Sequence, residues 1–209
     1  MRSSTIVFLG IAVLALSVPI EAAMQRTAVV DCAKQQICLY VWPKIPALKG
    51  WHTDEDANYD NKINTLVPDG FTFASTDTVI YAEATNKTEY KKDNPGTTNL
   101  DGYIADDEGV FRENNPDVVI TEIDPLVTGD GQKLRTVQYA KLKEDHRQVV
   151  AYGEEDDDYI IFVIDARGAD ILAKHLPAYK TLVQSYTTGS EAERHADPNK
   201  YTVVVRHQK

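Results

Sequence analysis

The chain has 209 residues, 43% of them hydrophobic, and carries a formal net charge of −10 from 32 acidic against 22 basic side chains. This length and apolar content suit one domain with a core of its own. Binding to a phosphate backbone needs clustered Lys and Arg to displace counterions, so this acidic sequence with no basic run argues against a nucleic-acid partner.

Arg2 precedes an apolar stretch from Ile6 to Val18, followed by Pro19 and a small-residue segment ending at Ala22-Ala23. That order of charge, apolar run and small residues is expected of a secretory signal peptide over residues 1–22. The run is shorter than the roughly 20 apolar residues that span a bilayer, so no transmembrane anchor is expected after cleavage. Removing residues 1–22 of 209 leaves 187, expected as a single α+β domain over 23–209 in a periplasmic or secreted location. Cys32 and Cys38 are the two cysteines, and export to an oxidising compartment predicts a disulfide between them. Closing so small a loop is worth about 2 kcal/mol. A redox pair would place two residues between the cysteines at a helix start, and five intervene here.

Cys38 to Trp42 is rich in β-branched and aromatic residues and reads as a strand ended by Pro43. The segment 43–66, with Pro46, Gly50 and a polar run from His52 to Asn64, reads as an irregular loop. After a turn at Pro68-Asp69-Gly70, Phe71 to Phe73 is expected to pair with a stronger strand at Thr78 to Glu83. Thr85 to Thr97 reads as a polar connection. Leu100, Tyr103, Ile104 and Phe111 then follow the helical period behind a cap at Thr98 or Asn99, and Pro116 bars continuation.

Val118 to Ile123 and Lys133 to Ala140 flank Gly129-Asp130-Gly131 and predict a hairpin. A second hairpin is expected from Gln148 to Tyr152 and Tyr159 to Ile164, with the acidic run Glu154 to Asp158 as a solvated turn between them. Tyr159 to Ile164 is apolar at consecutive positions, which predicts a central strand covered on both faces. Ile171, Leu172, Leu176, Tyr179, Leu182, Val183 and Tyr186 mark a last helix, expected to begin near Pro177 after a short turn and to stop at Gly189. A strand over Tyr201 to Arg206 closes the chain. Strands grouped between two helices, without regular βαβ alternation, predict a mainly antiparallel sheet with helices packed on it.

Leu66-Val-Pro-Asp-Gly-Phe-Thr-Phe, the helix from Leu100, the two hairpins and Ala178 to Tyr186 together resemble the PsbP/DcrB-like superfamily over about residues 64–187. The resemblance implies an antiparallel sheet between helices and a role as a binding or assembly accessory. It carries over no functional residue.

Among candidate sites, Asp54, Asp56, Asn58 and Asp60 alternate as at the start of a calcium loop, but Tyr59 stands where glycine is required and Thr65 where a bidentate Glu is required. No metal site and no cofactor are therefore assigned. Trp42, Trp51, His52, Asp54 and Asp56 form the candidate ligand or partner surface. The five histidines are scattered and no nucleophile elbow, zinc helix or phosphate loop occurs, so no catalytic residue is assigned. The expected function is an exported binding or accessory module acting on another protein or envelope component. Two alternatives remain at this level: a periplasmic inhibitor or immunity protein, and a metal-assisted hydrolase using His52, Asp54 and Asp56.

Overall fold

The structure is a computed structural model that describes residues 24–31, 36–188 and 202–205. The leader at 1–22, its cleavage site, the Cys32–Cys38 disulfide and the stop at Gly189 lie outside the described residues. Ten strands and four α-helices occur among the rest: β1 Met24–Asp31, β2 Gln36–Pro43, β3 Trp51–Thr53, α1 Glu55–Asn61, β4 Asn64–Pro68, β5 Thr78–Asn86, α2 Lys87–Asp93, α3 Leu100–Asn114, β6 Val119–Val127, β7 Lys133–Ala140, β8 His146–Glu155, β9 Asp158–Arg167, α4 Ala169–Ser185 and β10 Thr202–Val205.

Seven strands form one sheet in the order β3-β4-β5-β9-β8-β7-β6, with every neighbouring pair antiparallel. This is the expected α+β class. A smaller sheet, β10-β1-β2, joins β1 and β10 in parallel and β1 and β2 antiparallel. It meets the large sheet where the Asn64 side-chain amide donates to the Pro43 carbonyl over 3.1 Å.

The consecutive apolar run of β9 has the consequence predicted for it, because the strand sits between β5 and β8 with both faces covered. Alternation divides its side chains. Ile160, Phe162, Ile164 and Ala166 pack with Leu172, Tyr179, Leu182 and Val183 of α4, whereas Tyr159, Ile161 and Val163 pack with Tyr103 and Ile104 of α3. Asn99 caps α3, its side-chain oxygen accepting from the Gly102 N–H over 2.9 Å.

Four expectations are corrected. Segment 43–66 is not wholly irregular: it contains β3, α1 and β4, because Asp54 caps α1 and Lys62 ends it in the left-handed conformation at φ 64°. Phe71 to Phe73 lies in a turned loop, and β5 pairs with β4 and β9 instead. The polar connection holds α2, capped by Asn86, whose side chain accepts from the Thr88 and Glu89 N–H groups; with no buried residue, α2 has no apolar period to reveal it.

The last helix does not begin at Pro177. It is continuous from Ala169 with Pro177 inside. Proline removes the hydrogen bond to the carbonyl four residues back; here that residue is Ala173, and both Ala173 and Pro177 are exposed, so water can serve the freed carbonyl. Entry to this helix turns on Gly168, whose φ of 91° is a backbone state that a side chain disfavours.

Candidate functional site

The five residues of the sequence-derived surface do not converge. Trp42 is buried, stacks on Tyr40 and donates from its indole N–H to the Lys62 carbonyl over 2.8 Å, which makes it a core residue beside Tyr59. Trp51 packs edge-on against His175 of α4, with ring centroids 5.4 Å apart. His52 is exposed and faces Asp69, Nδ1 to Oδ1 3.4 Å. Asp54 is committed to structure: Oδ1 accepts from the Ala57 N–H over 2.9 Å and Oδ2 from the Phe73 N–H over 2.7 Å. Asp56 lies exposed in the first turn of α1. Among the described residues, no group of three or more His, Cys, Asp or Glu is placed to hold a metal.

The acidic run of the β8–β9 hairpin is also divided by strand alternation. Asp156 and Asp157 form the solvated turn, and Glu154 pairs with Lys87 at 3.1 Å. Glu155 instead points inward, 5% exposed, and accepts from the Tyr186 hydroxyl over 2.5 Å.

Two arrangements emerge that the sequence did not announce. The first lies under α3. The Tyr152 hydroxyl donates to Asp107 over 2.5 Å and is 2.6 Å from the Tyr139 hydroxyl, so Tyr139 supplies the proton of that second bond. Phe111 stacks on Tyr139 at 3.9 Å and Tyr103 on Tyr159 at 4.5 Å. Burial raises Asp107 above the ordinary carboxylate value against the opposing Tyr152 hydrogen bond, and burial with the Asp107 charge raises Glu83. On the same sheet face, Asp165 accepts from His146 Nδ1 and from Gln148 Nε2, each over 2.5 Å. The hairpin register could have revealed this trio, since a turn at 156–157 sets Gln148 opposite Asp165 and His146 two pairs along, on the same face. The chain of hydroxyls ties α3 to β7 and β8; it is a fastening rather than an open site.

The second arrangement is a groove of about 340 Å³ between β6 and α4, lined by Ile123, Leu126, Val149, Leu176, Lys180 and Gln184, with Asp124, Pro125 and Val127 at its β6 side. Its origin is local. Ile123 pairs with Thr136 and Leu126 with Leu134, so Asp124 and Pro125 together stand opposite Arg135 alone, a β-bulge. Proline has no N–H to give a ladder and is tolerated because β6 is the sheet edge. A bulge bends its strand, and Leu126 is fixed beyond it by its N–H donating to Thr136 Oγ1 over 3.0 Å. On the other wall, Leu176, Lys180 and Gln184 are spaced by four and form one row along α4.

Leu176 joins the main core from this row, while Lys180 and Gln184 are exposed at the rim. The side chains of Lys180, Gln184 and Asp124 make no hydrogen bond or ion pair with any described residue. An apolar floor with a few free polar groups at its mouth is the usual composition of a ligand pocket, and the volume falls at the small end of the common range of about 300–1,000 Å³. Among the described residues, no helix is long and apolar enough to cross a membrane. No family model and no curated protein matches the chain.

Proposed function

We propose that this chain is an exported, non-catalytic binding or accessory module of the bacterial cell envelope, related in pattern to PsbP/DcrB-like proteins, and that the groove between β6 and α4 seats its ligand. The observation carrying this reading is the groove: an apolar floor of Ile123, Leu126, Val149 and Leu176 beneath polar side chains that have no partner among the described residues. Its walls belong to a packed sheet and a helix, so little ordering of the protein is needed on binding, which favours affinity. The leader-like N-terminal sequence supports export, and the acidic surface supports solubility.

Titration of residues 23–209 with the neutral apolar dye N-phenyl-1-naphthylamine tests the seat. A saturable rise in fluorescence is expected in the wild type, with at least about a tenfold loss of affinity in Leu176→Glu, which puts a charge into the floor. Circular dichroism confirms that the variant is folded. Equal dye binding by both proteins would overturn the assignment of the groove.

A further inference from the structure

We propose that the groove takes a small zwitterion with an apolar side chain, an apolar amino acid or dipeptide. This inference rests on reading the groove as the ligand seat and adds the chemistry of its occupant.

Opposite charges stand at the mouth, Lys180 on the α4 wall and Asp124 on the β6 wall. They are not paired with each other or with any other described residue. A lone anionic ligand would find Lys180 but share the groove with the Asp124 charge, and a lone cation would meet the reverse conflict. A molecule carrying both charges satisfies each wall. Its carboxylate accepts from the Lys180 ammonium, its ammonium donates to the Asp124 carboxylate, and Gln184, one helical turn beyond Lys180, offers a further amide for the carboxylate or a peptide group. Below the mouth, the side chains of Ile123, Leu126, Val149 and Leu176 are hydrocarbon, which favours an apolar side chain over a polar one, since a polar group against them would lose water without gaining a side-chain partner. The volume of about 340 Å³ limits the occupant to a small molecule.

Isothermal titration of the mature protein with L-leucine, leucyl-leucine, N-acetyl-leucine and leucinamide tests the assignment. At least one of the two zwitterions is expected to bind, and the better of leucine and leucyl-leucine identifies whether the occupant is an amino acid or a dipeptide. N-acetyl-leucine, which lacks the cation, and leucinamide, which lacks the carboxylate, are expected to bind at least about tenfold more weakly than leucine or its dipeptide. Lys180→Met should lose the preference for zwitterion over leucinamide, and Asp124→Asn the preference over N-acetyl-leucine. These exposed substitutions leave the fold in place. Equal binding of all four compounds, or unchanged preferences in both variants, would overturn the proposal. Dye binding at the groove with no zwitterion bound would overturn the ligand class while leaving the seat intact; absence of groove-dependent dye binding would remove the seat itself.

Discussion

The two faces of the seven-stranded sheet are closed by different chemistry. Under α4 the contact is made mainly by Leu66, Ile80, Ile160, Phe162, Ile164, Leu182 and Val183, with two buried tyrosine hydroxyls, Tyr179 donating to the Phe162 carbonyl over 2.8 Å and Tyr186 to the Glu155 carboxylate over 2.5 Å. Under α3 the aliphatic side chains Ile104, Val137, Val150, Ile161 and Val163 are joined by tyrosines and carboxylates: Tyr103, Tyr139, Tyr152 and Tyr159 with Asp107, and Glu83 nearby. Most of the α4 face gains from hydrocarbon burial, its tyrosine hydroxyls being confined to Tyr179 and to Tyr186 with Glu155, whereas the other face depends more on hydrogen bonds remaining complete. The aliphatic face is also where closure stops short, since the bulged edge β6 leaves a groove that α4 does not fill.

The largest expected effect lies on the aliphatic face. Leu182→Ala and Phe162→Ala should each cost about 2 to 5 kcal/mol in urea melts, because each removes a fully buried side chain and leaves a cavity. A cost below that of the tyrosine-face variants would reverse the comparison.

On the opposite face, Tyr152→Phe should cost about 1 to 3 kcal/mol, since it strips Asp107 and Tyr139 of their shared partner while preserving ring volume. That face also carries a pH dependence of definite sign. Asp107 and Glu83 are both held above their unfolded values, so their contribution is full below the unfolded carboxylate value of about 4 and is lost as pH rises through the folded values. Asp107→Asn, which cannot ionise, should therefore gain stability relative to wild type as the pH of the urea melts is raised from about 4 to about 7. A gap independent of pH would show that Asp107 is not perturbed by burial.

Smaller effects fall outside both faces. Asp54→Ala should cost about 1 to 2 kcal/mol, because the carboxylate caps α1 and also holds the Phe73 N–H. The sequence places Asp54 in an irregular loop; its capping role is what makes this substitution costly. Asp157→Ala, in the exposed turn, should change stability by no more than about 0.5 kcal/mol.

These residues also show what was legible in the sequence. The central place of β9 was, because a run apolar at consecutive positions has to be covered twice, and so was α3, because Asn99 and the spacing of Leu100, Tyr103, Ile104 and Phe111 state both start and face. The 43–66 segment was not, because α1 is one short helix held by a cap and a left-handed Lys62 rather than by an apolar stripe. The groove was hidden twice. A helix begun at Pro177 leaves Leu176 outside it and so conceals the row Leu176, Lys180, Gln184, and the bulge at Asp124-Pro125 depends on pairing with β7 that no local pattern in β6 records. Trp42, Trp51, His52, Asp54 and Asp56 stand out by residue type and spacing, yet their environments are a core, an aromatic contact, an exposed polar contact with Asp69, a helix cap and an exposed first turn.

The most direct test of the central claim is an amide chemical-shift titration of residues 23–209 with the neutral dye N-phenyl-1-naphthylamine. The groove assignment predicts shifts concentrated at Ile123, Asp124, Leu126 and Val127 of β6 and at Leu176, Lys180 and Gln184 of α4, with α3 from Leu100 to Asn114 unmoved. Shifts concentrated on α3 and absent from β6 and α4 would contradict it.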